Sequence, residues 1–174
     1  MENQKKYLVT GMFRDKDSAE RAYQELETRG YSNKDIHLIM SDDTRKKHFV
    51  DTDHHTELGN KALEGAGTGS AIGTTLGAIA GAVAAIGTTL LIPGLGIVVA
   101  GPLAAAVAGA GAGGVTGGII GALIGSGIPE ERAHVYEKGV KEGNIVMGVD
   151  ARDQADADYF ENNWRNNNVA EIHR

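Results

Sequence analysis

Residues 65–129 read GAGTGSAIGTTLGAIAGAVAAIGTTLLIPGLGIVVAGPLAAAVAGAGAGGVTGGIIGALIGSGIP, a stretch without one charged side chain. Glycine recurs at every fourth position, first at Gly65, Gly69, Gly73, Gly77 and Gly81. It then recurs at Gly101, Gly109, Gly113, Gly117, Gly121 and Gly125, with Ala105 in the one missing step. Between the two runs lies Leu91-Ile92-Pro93-Gly94-Leu95-Gly96, a turn signal. Residues four apart share a helix face. The pattern therefore predicts two long helices folded into a hairpin and packed through glycine faces, with Pro93, Gly94 and Gly96 in the turn.

Each glycine inside a helix costs about 1 kcal/mol relative to alanine. Two such arms forgo on the order of 10 kcal/mol, comparable with the stability of a whole domain. Close backbone approach, with its dispersion contacts and weak Cα–H···O bonds, is what offsets such a cost. A flexible linker fits poorly, because Ile72, Leu76, Ile79, Val83 and Ile86 fill the intervening positions. A phosphate-binding loop at Gly111-Ala112-Gly113-Gly114 lacks the following Gly-Lys-Ser/Thr and any basic neighbour. Each arm is long enough to span a bilayer, yet the stretch holds no Trp, Tyr or Phe to form an interfacial belt. Its largest apolar side chains, Leu90, Leu91, Ile92, Leu95, Ile97, Val98 and Val99, gather around the turn. A lone hairpin would expose more apolar surface than a monomer tolerates. The expected partners are thus further copies of the chain, with membrane lipid the favoured surroundings and a soluble assembly the alternative.

Working outward, Tyr7, Val9, Gly11 and Phe13 alternate as one face of a strand. Asp17 and Glu20 stand at capping-box spacing, ahead of an apolar stripe of Ala19, Ala22, Tyr23 and Leu26 that ends at Gly30. Ile36 to Met40 reads as a second strand. Residues 41–56 are polar; Asp51, Asp53, His54 and His55 crowd there but read as a loop rather than a metal site. From Thr56 the chain becomes helical, with Glu57 and Lys61 spaced for an i,i+4 pair. Beyond the insertion, Pro129-Glu130-Glu131 opens a helix that buries Ala133, Tyr136 and Val140 and stops near Gly143. Asn144–Asp150 reads as a strand and Asp153–Asn166 as a helix burying Ala157, Phe160 and Trp164. Val169–Ile172 reads as a last strand.

The flanks also resemble each other. At a shift of 136 residues Asp17 falls on Asp153, Tyr23 on Tyr159, Gly30 on Asn166 and Ile36-His37 on Ile172-His173. The fold expected is therefore α+β. Residues 1–55 and 129–174 form two β-α-β halves of one ferredoxin-like sheet domain, and residues 56–128 form the inserted glycine-zipper α-hairpin. His37 and His173, at matching positions, read as surface or edge residues rather than a catalytic pair.

The chain has 174 residues, a net charge of −6 and no cysteine. The acidic balance argues against nucleic acid as a partner; the basic cluster Arg45-Lys46-Lys47-His48 lies among acids and reads as a solvated loop. Without cysteine there are no disulfides, thiolate metal sites or cysteine nucleophiles, which fits a reducing compartment. The N-terminus shows no signal-peptide pattern.

Val9-Thr10-Gly11-Met12-Phe13, Ser18-Ala19-Glu20-Arg21-Ala22, Leu26 and Gly30-Tyr31 resemble the N-terminal module of bacterial general stress proteins of the YflT and 17M-like type. The glycine hairpin, with Ile92-Pro93-Gly94-Leu95-Gly96 and Ala100-Gly101-Pro102-Leu103-Ala104, resembles a related membrane-associated group that includes low-temperature-induced proteins. The resemblance implies a stress-associated bacterial protein and supplies no catalytic residues. The expectation is thus a non-enzymatic, self-assembling protein without cofactor or metal, in the cytoplasm at the inner face of the cytoplasmic membrane. A soluble particle or filament, or a small-ligand sensor on the sheet, are the alternatives.

Overall fold

The alternating apolar residues of the flanks become strands, and so does the apolar centre of the insertion. The structure, a computed structural model, describes residues 7–50, 79, 90–92, 95–109 and 118–174. In chain order the strands are β1 (Tyr7–Phe13), β2 (Ile36–Ser41), β3 (Leu90–Ile92), β4 (Ile97–Ala100), β5 (Ile145–Ala151) and β6 (Ala170–His173). They form one sheet in the order β3-β4-β2-β5-β1-β6, every neighbouring pair antiparallel. Consequently β1 and β2 run parallel with β5 between them, and β5 and β6 run parallel with β1 between them. The two flanks are interleaved halves of one sheet.

The helices are α1 (Lys16–Thr28), α2 (Asp42–Arg45, leading into a π-helical turn over Lys46–Val50), α3 (Pro102–Gly109), α4 (Gly118–Gly125), α5 (Glu130–Lys141) and α6 (Gln154–Asn166). The cap of α1 is Asp15, not Asp17. Asp15 has the extended backbone that an N-cap needs, and its carboxylate accepts from the Ser18 N–H at 2.8 Å. Asp153 does the same for the Asp156 N–H of α6 at 2.8 Å. The helices leave through left-handed residues, Gly30 (φ 80°) and Asn168 (φ 58°), so Asn168 rather than Asn166 matches Gly30.

These pairs correct the spacing of the repeat. Tyr7 and Ile145 open β1 and β5, Lys16 and Gln154 open α1 and α6, and each pair is 138 residues apart. In that register Ala19 meets Ala157, Ala22 meets Phe160 and Leu26 meets Trp164, all buried. The matching tyrosines that suggested 136 are unlike in structure, Tyr23 being buried and Tyr159 exposed.

Side chains alternate across the sheet, and both faces are covered. Val9, Phe13, Leu38, Met40, Met147 and Val149 lie under α1 and α6. Met12, Ile39, Val99 and Val146 lie on the other face with Leu103, Ile119, Leu123, Tyr136 and Val140 from α3, α4 and α5. The result is a three-layer α/β/α body.

The expected glycine-zipper hairpin is not shown by the described residues, and its turn between two helices is corrected. Gly96 (φ 61°) sits in a turn that joins two strands, not two helices. Ile97, Val98 and Val99 are buried because β4 pairs with β2, with Leu38 opposite Ala100 and Ile39 opposite Val99. The β4 part of the apolar tip is therefore buried in the molecule's own sheet, whereas Leu91 and Leu95 stay 48% and 38% exposed. Ile79, the one described residue of the first arm, is buried in the core beneath α1 and α6, whereas α3 and α4 of the second arm pack on the opposite face. At those positions the arms are separated by the sheet. No helix among the described residues is long and apolar enough to cross a membrane.

Candidate functional site: the inserted glycine-rich arm

The second arm starts at Gly101, which links β4 to α3 in the left-handed region (φ 86°). A Cβ built there would lie 2.0 Å from the Ile36 carbonyl oxygen and 3.3 Å from the His37 Cα. Glycine at this point serves a tight chain reversal against β2, not a helix face.

His37 then fixes the start of α3. Its Nδ1 accepts the Leu103 N–H at 3.2 Å, an amide that the first turn of a helix leaves without an internal partner. That bond places the ring proton on Nε2, which donates to Asp150 Oδ1 at 3.2 Å. His37, Gly148, Thr10 and His173 are consecutive partners across β2, β5, β1 and β6. Gly148 keeps this row close, since a Cβ there would sit 3.1 Å from Thr10 Cγ2 and 3.4 Å from His37 Cδ2.

At the other end of the row, the Thr10 hydroxyl bonds Tyr136 Oη at 2.9 Å, and the Tyr136 hydroxyl donates to the Glu171 carbonyl at 2.6 Å. Glu171 has φ 54° in a strand whose register slips against β1, which turns that carbonyl toward α5. Burial pushes the Tyr136 phenol up to about 12, against a smaller downward pull from Thr10 and Arg132. Burial, helped by Arg132, holds the His173 imidazole below its ordinary range. Arg132 forms an ion pair with Glu171. The row thus pins α3 at one end and α5 at the other. Between them Leu8, Ile39, Leu103, Leu123 and Ile128 close over a cavity of about 20 Å³, room for one water at most.

No protein-family model, curated protein or solved structure matches the chain.

The glycines expected to form the packing face divide by place. Gly65, Gly69, Gly73, Gly77, Gly81, Gly113 and Gly117, with Pro93 and Gly94, lie outside the described residues. Gly109 ends α3. Gly121 and Gly125 lie one turn apart on α4, both exposed, and a Cβ at either would meet no heavy atom of the described residues within 4 Å. Beside them Ile124 is 42% exposed. Asp51, Asp53, His54 and His55 also lie outside the described residues; among those described, no group of three or more His, Asp or Glu could hold a metal. Reading by motif missed the Thr10–Tyr136 and His37–Leu103 bonds. The match of His37 with His173 holds only at the uncorrected spacing and predicts neither bond, so no sequence signal pointed to them.

Proposed function

We propose that this chain is a non-enzymatic, stress-associated bacterial protein that self-assembles through the outward glycine face of α4, with a ferredoxin-like sheet domain as its body. The order β2-β5-β1-β6 and its two interleaved halves support the ferredoxin-like description. The observation that carries the assembly is the open space around Gly121 and Gly125. Each costs about 1 kcal/mol in a helix relative to alanine, and nothing in the described part of the chain approaches closely enough to require it. A helix from a second copy, crossing at the close distance that glycine permits, supplies the missing reason. The burial of Ile97, Val98 and Val99 in the sheet supports an assembly held by protein contacts, since it leaves only Leu91 and Leu95 of the tip exposed.

The test is Gly121→Leu with Gly125→Leu, followed by sedimentation velocity in buffer and by fractionation of cell lysate. The wild type should sediment as an oligomer and the double variant as a smaller species with unchanged circular dichroism. A monomeric wild type, or an oligomer indifferent to both leucines, refutes the assembly. Retention of the wild type in alkali-washed membranes would place the assembly in lipid instead.

A further inference from the structure

At the end of the sheet opposite Gly30, four elements surround an open cleft of about 530 Å³. Arg14 follows β1, Asp43 and Thr44 come from α2, Lys47 and His48 from the π-helical turn, and Lys141 from the last turn of α5. That volume is in the range of small-molecule sites. The chain has 23 acidic and 17 basic side chains, so a cation in such a protein has carboxylates to spare. Nearby cations use them: Arg45 and Lys46 both bind Asp42 at 2.7 Å, and Lys141 binds Glu137 at 3.0 Å. Arg14 and Lys47, by contrast, form no ion pair among the described residues.

The local backbone explains why Lys47 stands apart. Continuing α2 as an α-helix would stack Lys47 over Asp43, one turn back. The chain instead widens into a π-helical turn from Lys46, a rare form concentrated at functional sites, and Lys47 and His48 line the cleft. The end of α5 contributes charges of both signs. Its last-turn carbonyls carry partial negative charge and accept the N–H groups of Glu142, Gly143 and Asn144. Glu142 lines the cleft with its carboxylate 3.9 Å from Lys138, Lys141 stands beside it, and the Thr44 hydroxyl donates to the Gly143 carbonyl at 3.2 Å.

We propose that this cleft binds a phosphate group carried by a small molecule, the Arg14 guanidinium and Lys47 ammonium taking its oxygens. Guanidinium offers a planar pair of donors to phosphate and ammonium a point charge. The same chemistry could be presented by a soluble phosphate compound or by an anionic lipid headgroup, and the cleft chemistry is independent of the α4 assembly face.

The probes are inorganic pyrophosphate by isothermal titration, and phosphatidylglycerol vesicles by flotation with phosphatidylcholine vesicles as control. Both use the full chain, wild type and Arg14→Gln/Lys47→Gln. Arg14 and Lys47 are exposed, so the double variant should melt with the wild type. Losing two charge-assisted contacts should weaken binding about a hundredfold, whereas Lys34→Gln, at the far end of β2, should change it less than about twofold; added salt should weaken the wild type. Pyrophosphate binding lost in the double variant supports a soluble ligand. Binding confined to phosphatidylglycerol and lost in the same variant supports a headgroup. No binding to either probe, or binding indifferent to the double substitution, overturns the site.

Discussion

Gly101→Ala should destabilise the fold by about 3–5 kcal/mol. The left-handed backbone at φ 86° costs a side-chain-bearing residue about 1–2 kcal/mol. The new Cβ would also lie 2.0 Å from the Ile36 carbonyl oxygen, a backbone atom that cannot rotate aside. Relief requires the β4–α3 junction to withdraw from β2 by more than about 1 Å. That motion loosens the pairing of Leu38 with Ala100 and the bond from the Leu103 N–H to His37, each worth about 1 kcal/mol. For a chain of this size the melting temperature should fall by about 6–20 °C. Urea unfolding followed by circular dichroism, at one protein concentration, measures it. Gly121→Ala is the matched control: its Cβ meets none of the described residues of its own chain, so, measured at dilution that dissociates the assembly, it should stabilise the fold by about 0.5–1 kcal/mol. A loss below about 1 kcal/mol for Gly101→Ala, or equal effects of the two, would refute the separation of a fold glycine from an assembly glycine.

His37→Leu should cost about 1–3 kcal/mol, because it leaves the Leu103 N–H without its acceptor. Hydrogen exchange at Leu103 should accelerate, and unchanged exchange would remove His37 from that role. Tyr136→Phe should cost about 1–2 kcal/mol by removing the bridge from Thr10 to the Glu171 carbonyl. Burial holds the Tyr136 phenol up at about 12, above its ordinary 10.0, so the unfolded chain loses this proton first. Its contribution, on the order of 2–3 kcal/mol, should be intact below pH 10.0 and lost as pH rises through about 12. Burial raises Tyr23 too, so the decline should be reduced but not abolished in Tyr136→Phe. An alkaline unfolding profile identical to that of the wild type would refute this assignment.

The flanks were legible because their signals were local. Strand alternation at Tyr7–Phe13, the Ala157/Phe160/Trp164 stripe and the turn glycines Gly30 and Gly143 all occupy the places their chemistry implies. Register was less legible. Asp15 and Asp17 are both good caps by residue type, and only the extended backbone of Asp15 decides between them. The error of two residues then passed into the repeat, where chance identities such as Tyr23 and Tyr159 outweighed the burial pattern. The polar row escaped notice because its bonds join residues distant in the chain, as Thr10 is from Tyr136 and His37 from Leu103. Bonds of that kind depend on strand register, which composition does not carry.

The insertion shows why periodicity at a glycine-rich apolar stretch is a weak guide to its centre. Ile92, Ile97, Val98 and Val99 are β-branched, and short apolar runs of that kind fit a buried strand as well as a helix. What decides is β2. Without β4, its backbone from Leu38 to Ser41 would form a sheet edge with unpaired amides and carbonyls. The β3–β4 hairpin satisfies them and buries the β-branched side chains together, leaving short β3 at the edge. The every-fourth-residue glycines then cannot all have one purpose. Gly101 turns the chain, as its positive φ shows, while Gly121 and Gly125 are helical, exposed and unopposed among the described residues. Only these last two lack a reason within the described fold. Self-association is therefore to be sought first on α4, since the β4 part of the apolar tip is already buried.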